Sequence, residues 1–264
     1  MFDSVMGTSM MRIAQEKALL DFTAYDLRDW THDRHRTTDD DPYGGGLGLV
    51  MKCAPIFEAY QAITGIDLGM PAPEPTGNEQ PLTGPAPRHA DGIKPVTVFL
   101  TPCGEKFDDA CARELASCER LLFVCGHYEG IDERAYELAD RQLSLGDYVL
   151  TSGELASMVI IDAVVRKIDG VLGAQGGADE ESFADNLLEY PQYTRPASYF
   201  GRDVPPVLLS GDHGAIDAWR QRQRIERTLA ARPDLIERAT LSDDDMVFLK
   251  SLMKDTSNDT SGLS

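Results

Sequence analysis

The run Leu121-Leu122-Phe123-Val124 is followed directly by Cys125-Gly126-His127-Tyr128-Glu129-Gly130. Four consecutive apolar residues are typical of a strand that is covered on both faces in a parallel sheet. Two glycines, an acid and an aromatic residue then stand where that strand would end. Open α/β sheets bind ligands at the carboxyl ends of their strands. The segment therefore predicts an α/β protein that is an enzyme or a nucleotide-type binder.

Neighbouring segments extend this pattern into a parallel sheet. Val96–Leu100 is a second apolar run, and a helix predicted over Phe107–Ser117 connects it to Leu121–Val124 as a βαβ unit. A third strand is predicted over Tyr148–Thr151, and a long apolar helix follows from Glu154 to Ile168. The stretch Gly146 to Glu154 again places glycines, an aromatic and acids beside a strand, so it predicts a second ligand-binding loop.

The rest of the chain is mostly helical in pattern. Residues 67–95 are rich in proline and glycine and predict a flexible insertion, and Gly170 to Ala178 contains four glycines, which favours an interdomain linker. The remaining predicted elements are a helix over 2–20, a short strand over 23–27, and helices over 55–64, 182–188, 215–231 and 243–253.

Composition limits the classes of function. The 264 residues allow one large domain or two small ones, and the net charge of −19 argues against nonspecific coating of nucleic acid or anionic membranes. No apolar run approaches the roughly 20 residues of a membrane span, and no signal-peptide pattern is present. Five cysteines without a CxxC pair favour free thiols in a reducing compartment. We expect a soluble, cytoplasmic protein without a metal.

Two segments, one rich in glycine and one containing two histidines, each allow two interpretations. Gly44-Gly45-Gly46 could cradle a phosphate, but it lacks the GK[ST] of a P-loop, so a plain flexible loop is favoured. His32-Asp33-Arg34-His35 has a His-x-x-His spacing that suggests a metal, yet the neighbouring arginines would repel a cation. A solvated loop and a segment that contacts an anion or RNA are the two alternatives.

One helix is locally basic. Residues 219–232 contain five arginines against one acid, with Trp219 at their start. Arginine at helical spacing beside an aromatic residue suits phosphates and stacked bases. A solvated helix face is the alternative.

Other charged residues have ordinary explanations by themselves. The partial positive charge at the N-terminus of the predicted helix 182–188 could be compensated by the carboxylates of Asp179, Glu180 and Glu181. Arg166 could likewise cap the C-terminal end of its own helix. Ser152 beside Glu154 suggests a serine nucleophile, but no GxSxG elbow is present, so a hydrolase is not favoured.

Six ordered blocks of the sequence together resemble one family closely. They are Thr31 to Arg36, Pro42 to Gly46, Cys125 to Arg134, Gly146 to Leu150, Tyr193 to Pro196, and Val204 to Gly211. The family is that of the bacterial tRNA (guanine-N1)-methyltransferases (TrmD-type) of the trefoil-knot (SPOUT) superfamily. The resemblance covers nearly the whole chain apart from residues 67–95 and the tail.

The resemblance implies the architecture of the chain. Residues 1–168 would form an α/β domain whose mostly parallel sheet ends in a C-terminal trefoil knot, with a flexible insertion at about 67–95. Residues 169–181 would be a linker and 182–254 a small all-helical domain that grips the anticodon stem-loop of tRNA. Residues 255–264 would be a disordered tail. The protein would be a homodimer.

The resemblance also implies the cofactor and its loops. The knot would bind S-adenosyl-L-methionine, the methyl donor. Carried over position by position, the cofactor-binding residues are Leu100, Thr101, Pro102, Gly126, Tyr128, Glu129, Gly130, Leu145, Gly146, Asp147, Tyr148, Val149, Leu150, Ser152 and Gly153.

The implied reaction is methylation of N1 of the guanine at position 37, just 3′ of the anticodon. N1 of guanine carries a proton at neutral pH, so a base must accept it as the methyl group arrives. Charge then develops towards O6, where a guanidinium can stabilise it. The family's base and guanidinium correspond to Glu181 and Arg166, which would reach the partner subunit's cofactor, so that each active site is composite.

The sequence departs from the family pattern at three places. Glu181 stands where the family has aspartate, and Ser152 stands where it usually has glycine. The chain also begins at Met1-Phe2, where family members already have a first strand behind them. We therefore expect the genuine start to lie upstream, with Met1 an internal methionine.

Two other functions compete with this one. The chain could be a noncatalytic RNA-binding protein on the same fold, inactivated by loss of the first strand. It could also keep the methyltransferase chemistry but act on another RNA or another target atom. A measurement of cofactor binding distinguishes the enzyme from the noncatalytic protein, which need not bind the cofactor. Replacing the target guanosine by adenosine distinguishes methylation of that guanine from methylation of another RNA or atom.

Overall fold

The computed structural model describes residues 1–70, 86–87, 90–172 and 181–259, with side chains up to residue 254. The chain divides into two units, Met1–Gly173 and Ala174–Ser264. Most of the predicted insertion and most of the glycine-rich linker lie outside the described residues, as do Asp179 and Glu180.

The first unit alternates short strands and helices. Its helices are α1 (Phe2–Met6), α2 (Ser9–Glu16), α3 (Cys53–Thr64), α4 (Asp109–Ala116) and α5 (Gly153–Val165), with 3₁₀ turns at Leu27–Trp30 and Glu133–Leu138. Its strands are β1 (Asp39–Asp40), β2 (Val50–Met51), β3 (Val96–Lys106), β4 (Leu121–Val124) and β5 (Arg141–Ser144).

A parallel three-stranded sheet of order β4-β3-β5 forms the centre of this unit. The chain is thus a mixed α/β protein with a parallel sheet, as predicted. β3 starts at Val96, and β4 spans the residues predicted from the apolar run. Val98 and Phe99 of β3 are fully buried, whereas the four residues of β4 are partly buried. The pair β1 and β2 is a separate, antiparallel two-residue ladder.

Helices cover both faces of the sheet. Val98 and Phe99 are fully buried neighbours on β3, and because side chains alternate along a strand they face opposite layers. Val98 packs in the cluster that includes Leu115 of α4 and Ile160 of α5. Phe99 packs in the cluster that includes Ile56 of α3. The central strand therefore connects two apolar layers.

Two predicted strands are wrong. Residues 23–27 form no strand in the described part of the chain, and Tyr148–Thr151 is a loop with exposed side chains. The third strand of the sheet is Arg141–Ser144. Only Leu143 of that strand is buried, and Arg141 is ion-paired with Glu105 and Glu114. An edge strand of this kind carries no continuous apolar run, which is why the sequence pattern missed it.

The N-terminal helix is also shorter than predicted. The pattern over residues 2–20 corresponds to two helices, α1 and α2, which are separated at Gly7-Thr8. The predicted apolar face is buried in part: Met6 and Ala14 pack with Ile161 and Val165 of α5, whereas Ile13 is exposed.

The second unit is largely helical, with one small hairpin. It contains β6 (Ser198–Tyr199), β7 (Arg202–Asp203), a 3₁₀ turn at Pro206–Leu209, α6 (His213–Ala231), α7 (Pro233–Ile236) and α8 (Asp243–Asp259). The prediction of an all-helical unit is therefore wrong at the hairpin. α8 ends at Asp259, beyond the predicted helix end at residue 253, and residues 260–264 lie outside the described residues.

The helix predicted over Ser182–Leu188 is instead a series of turns. Phe183 and Asn186 have left-handed backbone conformations, with φ of 77° and 64°, which interrupt a right-handed helix. The Phe183 amide donates to the Leu187 carbonyl at 2.9 Å, and the Ser182 hydroxyl accepts from the Glu189 amide at 3.0 Å. Leu187 anchors the segment in the cluster formed with Ile225 of α6 and Leu249 of α8.

None of the helices in the described ranges is both long enough and apolar enough to span a lipid bilayer.

Candidate active site

Three loops meet at one edge of the parallel sheet. Because β3, β4 and β5 run in the same direction, their carboxyl ends lie side by side. The loop after β4 begins at Cys125, and the loop after β5 runs from Leu145 to Ser152. On this edge the structure brings together the segments that contain all the cofactor-binding residues implied by the resemblance.

β3 contributes to this edge through a bulge. Its pairing with β5 is regular up to Leu100↔Leu143 and resumes at Glu105↔Leu143, so Thr101, Pro102, Cys103 and Gly104 leave the ladder. A bulge of this kind redirects side chains and is frequent beside active sites. A Cβ atom on Gly104 would lie 2.6 Å from the carbonyl carbon of Gln142, so the bulge packs backbone to backbone against β5. No pattern in the sequence distinguishes Gly104 from the other glycines.

Gly153 joins the first turn of α5 to the loop after β4. Its amide donates to the Gly126 carbonyl at 2.8 Å. A Cβ atom at Gly153 would lie 2.6 Å from the Gly126 nitrogen and 2.8 Å from Cys125 Cα. The two backbones therefore touch where a helix N-terminus, with its unpaired amides, begins at the loop edge.

A histidine and a glutamate connect the same two segments through their side chains. His127 Nε2 lies 2.8 Å from Glu154 Oε1. The second carboxylate oxygen, Glu154 Oε2, is buried without a hydrogen-bond partner in the described part of the chain, and the buried Ser152 hydroxyl is likewise unsatisfied there. Buried polar atoms are normally paired, so these two indicate a place for a polar ligand group. His127 and Glu154 lie in the quoted segments but were not predicted as site residues.

The aromatic residues of the loops are exposed. Tyr128 has a left-handed backbone with φ of 61°, a conformation that is uncommon for a bulky residue and is found at functional loops. Tyr148 follows Gly146, whose φ is 150°. Both tyrosine side chains are open to solvent, together with Val149. The rings are thus available to a ligand or to another protein surface.

The glycine-rich loop at residues 42–48 lies beside the loop after β4. Glu129 donates its amide to the Leu49 carbonyl at 3.1 Å, and Met51 donates to the Gly130 carbonyl at 2.9 Å. A Cβ atom on Gly48 would lie 2.5 Å from Glu129 Cγ. The Glu129 side chain therefore occupies space that only glycine at position 48 leaves open, a contact that no sequence pattern indicated.

The histidine-containing segment is a turn organised by Asp33. Its carboxylate accepts from the Thr37 hydroxyl at 2.6 Å, the Thr37 amide at 2.9 Å and the His35 amide at 2.8 Å. The hydrogen bonds from Thr37 lower the pKa of Asp33 to about 2. His32 pairs with Glu58 of α3 at 2.6 Å. Among the described residues, no group of three or more histidine, cysteine or acidic side chains is placed to hold a metal ion.

The two implied catalytic residues lie in different units. Arg166 caps the C-terminal end of α5 in the first unit and is half-buried. Glu181 begins the series of turns in the second unit, where its carbonyl accepts from the Ala184 amide at 3.2 Å. Glu181 thus precedes turns and not a helix, so the interpretation as helix-dipole compensation loses its basis.

The arginines of α6 have several different environments. Arg224 is paired with Asp185, and Arg232 bonds Asp234 at 2.7 Å. Arg222 lies over the Phe248 ring, with 5.4 Å from Cζ to the ring centroid. Arg222 and Arg227 are exposed. Part of the predicted basic face is therefore used within the unit, and part is open to solvent.

Cys125 is a partly buried thiol. Its Sγ lies 3.5 Å from the Ser157 hydroxyl, and burial raises the pKa of Cys125 to about 11. At pH 8 about one molecule in a thousand would carry the reactive thiolate there.

We expect iodoacetamide at pH 8 to modify the exposed Cys103 and to leave Cys125 intact, as read by peptide mass spectrometry. In denaturant both residues should react. Equal labelling in the folded protein would contradict the burial of Cys125.

The chain is similar to known proteins over most of its length. The family model described as tRNA (Guanine-1)-methyltransferase TrmD matches residues 1–238. A protein of Chloroflexus aurantiacus named tRNA (guanine-N(1)-)-methyltransferase is 50% identical over 240 residues, which cover 90% of this chain and 85% of that protein. A protein of the same name from Carboxydothermus hydrogenoformans is 46% identical over 250 residues, covering 94% and 88%. One from Geobacter sulfurreducens is 45% identical over 256 residues, covering 97% and 94%.

Proposed function

Because the chain belongs to the tRNA (guanine-N1)-methyltransferase family, we propose that it transfers the methyl group of S-adenosyl-L-methionine to N1 of guanine 37 in tRNA. The observation that carries the proposal is the convergence of three glycine-containing loops on the carboxyl edge of the parallel sheet. We further propose that these loops belong to the trefoil knot implied by the family. With tRNA as its substrate, the enzyme would act in the cytoplasm.

The loop edge fits S-adenosylmethionine. Gly153 is buried against the Gly126 backbone, so the loop after β4 and the start of α5 meet there with no side chain between them. The Ser152 hydroxyl and Glu154 Oε2 offer unsatisfied polar atoms beside that backbone. When bound there, the cofactor supplies a methyl group on a sulfonium centre. We propose that it is held by the loop residues Leu100 to Pro102, Gly126 to Gly130, Leu145 to Leu150, and Ser152-Gly153.

The protein residues then have to manage one proton and one developing charge. We propose that Glu181 accepts the N1 proton of guanine, a task for a carboxylate within hydrogen-bond reach of that nitrogen. Arg166 would donate to O6, where negative charge develops as N1 loses its proton. A guanidinium stays protonated throughout, so it stabilises this charge without exchanging a proton itself.

We propose a homodimer in which Glu181 and Arg166 reach the partner subunit's cofactor, so that each active site is composite. An exposed apolar surface on the first unit supports this proposal. Leu155 and Val159 lie one turn apart on α5, and Val149 is in the adjacent loop; Val159 and Val149 are 54% and 85% exposed. Contiguous exposed apolar residues mark interaction sites more often than free surface. This surface adjoins the cofactor loops, as a composite active site would require.

The second unit would bind the anticodon stem-loop. Exposed arginines on α6, Arg222 and Arg227, can neutralise backbone phosphates, although the chain as a whole is acidic. Affinity that depends on a few phosphate contacts should weaken as salt is raised.

The direct test is methyl transfer from labelled S-adenosylmethionine to a tRNA transcript with guanosine at position 37, with the product nucleoside identified by mass spectrometry. We expect 1-methylguanosine, and we expect none with adenosine at position 37. Another methylated nucleoside would indicate a different RNA or target atom. Tight RNA binding with neither product nor binding of S-adenosylmethionine would favour a noncatalytic RNA-binding protein.

A further inference from the structure

The second unit contains a small cavity that the proposed reaction does not use. Its volume is about 260 Å³, and it lies between α6, the 3₁₀ turn Pro206–Leu209 and the segment 190–197. Two of the blocks that carry the family resemblance, Tyr193 to Pro196 and Val204 to Gly211, line it together with Trp219 and Arg220. The hairpin of β6 and β7 separates these two blocks in the chain, and the fold brings both to one cavity together with α6.

The wall of the cavity is aromatic and cationic. Tyr193 and Trp219 contact each other, with ring centroids 6.4 Å apart and planes inclined by 52°. Arg220 lies over Tyr190, with 4.8 Å from Cζ to the ring centroid. Arg195 is exposed at the rim. No carboxylate stands among the described residues that line this cavity.

Arg220 is only weakly engaged within the unit. Arg220 Nη1 lies 3.6 Å from a carboxylate oxygen of the exposed Asp217, which is a long ion pair. Its Nε is buried without a hydrogen-bond partner in the described part of the chain. A buried donor of this kind is normally satisfied, so Arg220 has hydrogen-bonding capacity left for a ligand.

We infer that this cavity binds one unstacked nucleobase of the RNA, with Arg195 and Arg220 on the adjoining phosphate. Its volume is below that of sites for drug-sized ligands and suits a single ring system. Tyr193 is 48% exposed and offers a stacking face, which every base can use. Trp219 already touches Tyr193 at an inclined angle, so a base stacks on the tyrosine and meets the tryptophan at its edge, without inserting between the rings.

The base in this cavity differs from the guanine that is methylated. Methylation at N1 needs a proton acceptor at that nitrogen, and the cavity wall has no carboxylate to serve. The cavity therefore grips a loop nucleotide and fixes the register of the RNA. Bases of this kind are available only in single-stranded loops, because those in a stem are stacked and paired. The inference rests on the proposed function for the identity of the RNA as tRNA.

The test uses the fluorescence of Trp219. The chain has two tryptophans, so Trp30→Phe leaves Trp219 as the single reporter. We expect quenching by a tRNA transcript with guanosine 37, equal quenching by the adenosine 37 transcript, and none by an RNA duplex without a loop. Quenching by the duplex, or loss of quenching with adenosine 37, would overturn the inference.

Substitutions at Tyr193 isolate the stacking face. Tyr193→Leu should weaken tRNA binding about tenfold, while Tyr193→Phe, which keeps the ring, should bind like the wild type. Tyr199→Leu removes another exposed tyrosine of the same unit, one outside the cavity wall, and serves as the matched control. Thermal unfolding of each variant verifies that it is folded. Equal affinity for Tyr193→Leu and wild type, or equal losses for Leu and Phe, would contradict a stacked base.

The turnover assay separates this inference from the proposed function. Tyr193→Leu should raise KM for tRNA about tenfold and leave kcat within about twofold, since saturating RNA compensates for weaker binding. If the wild type makes no 1-methylguanosine but the Tyr193 variants still differ in RNA affinity, the proposed reaction fails and the cavity assignment stands. If the wild type methylates tRNA and Tyr193→Leu has the same KM for tRNA as the wild type, the cavity assignment fails and the proposed reaction stands.

Discussion

Glu181→Gln should lower the rate of methyl transfer by about 10²- to 10⁴-fold, the range for loss of a general base. Glutamine is nearly the same size but cannot accept the N1 proton of guanine. Binding of tRNA and of S-adenosylmethionine should persist, because the substitution removes one negative charge and no volume. Single-turnover rates with saturating tRNA and cofactor measure the chemical step, and filter binding measures the affinity for tRNA.

Two companion variants make this prediction specific. Glu180→Gln removes the same charge one residue earlier and should retain a rate close to that of the wild type. Glu181→Asp introduces the residue that the family resemblance implies at this position and should remain active, since the carboxylate is kept. Unchanged turnover in Glu181→Gln would transfer the role of the base to Asp179 or to another group.

Gly153→Ala should abolish cofactor binding or reduce it by more than tenfold, and should destabilise the first unit. The added methyl group would lie 2.6 Å from the Gly126 nitrogen and 2.8 Å from Cys125 Cα. Both contacts are with backbone, so no flexible side chain can move aside. The hydrogen bond from the Gly153 amide to the Gly126 carbonyl must lengthen, and the loop after β4 must shift. Overpacking of this kind costs about 1–3 kcal/mol of unfolding free energy.

Calorimetric titration with S-adenosylmethionine and thermal unfolding measure the two effects of Gly153→Ala. The matched control is Gly214→Ala in α6, where the nearest atom to the added methyl group is 3.6 Å away. That variant should be neutral or slightly stabilising, because alanine is the better helix former. Wild-type affinity and melting temperature in Gly153→Ala would show that the two backbones do not meet as described.

The sequence identified the elements that bury continuous apolar surface. Val96–Leu100 and Leu121–Val124 lie in strands as predicted, and the apolar helix after Ser152 packs on the sheet. Prediction of secondary structure from the sequence failed where the local pattern and the tertiary environment favour different structures. Arg141–Ser144 is a strand because β3 supplies its hydrogen bonds and Glu105 and Glu114 pair with Arg141, although its residues alternate irregularly in polarity.

The turns at residues 182–188 are a second place where the local sequence pattern predicts the wrong structure. Residues 182–188 have an apolar pattern that fits a helix, yet left-handed backbone at Phe183 and Asn186 produces turns anchored by Leu187 in the core of the second unit. Propensity is a weak preference that packing of a single buried side chain can override.

The sequence by itself determined the mixed α/β class with its parallel sheet and the family, and it picked out the glycine-containing loops at the sheet edge, because these depend on apolar runs and on glycines at fixed places in the chain. Only the tertiary structure decided which groups meet: Gly153 against Gly126, His127 against Glu154, Gly48 against Glu129, and Tyr193 beside Trp219. These pairs are separated by 26 to 81 positions in the chain. Contacts over such separations follow from sheet order and helix packing, which place distant residues within a few ångströms without leaving a local pattern.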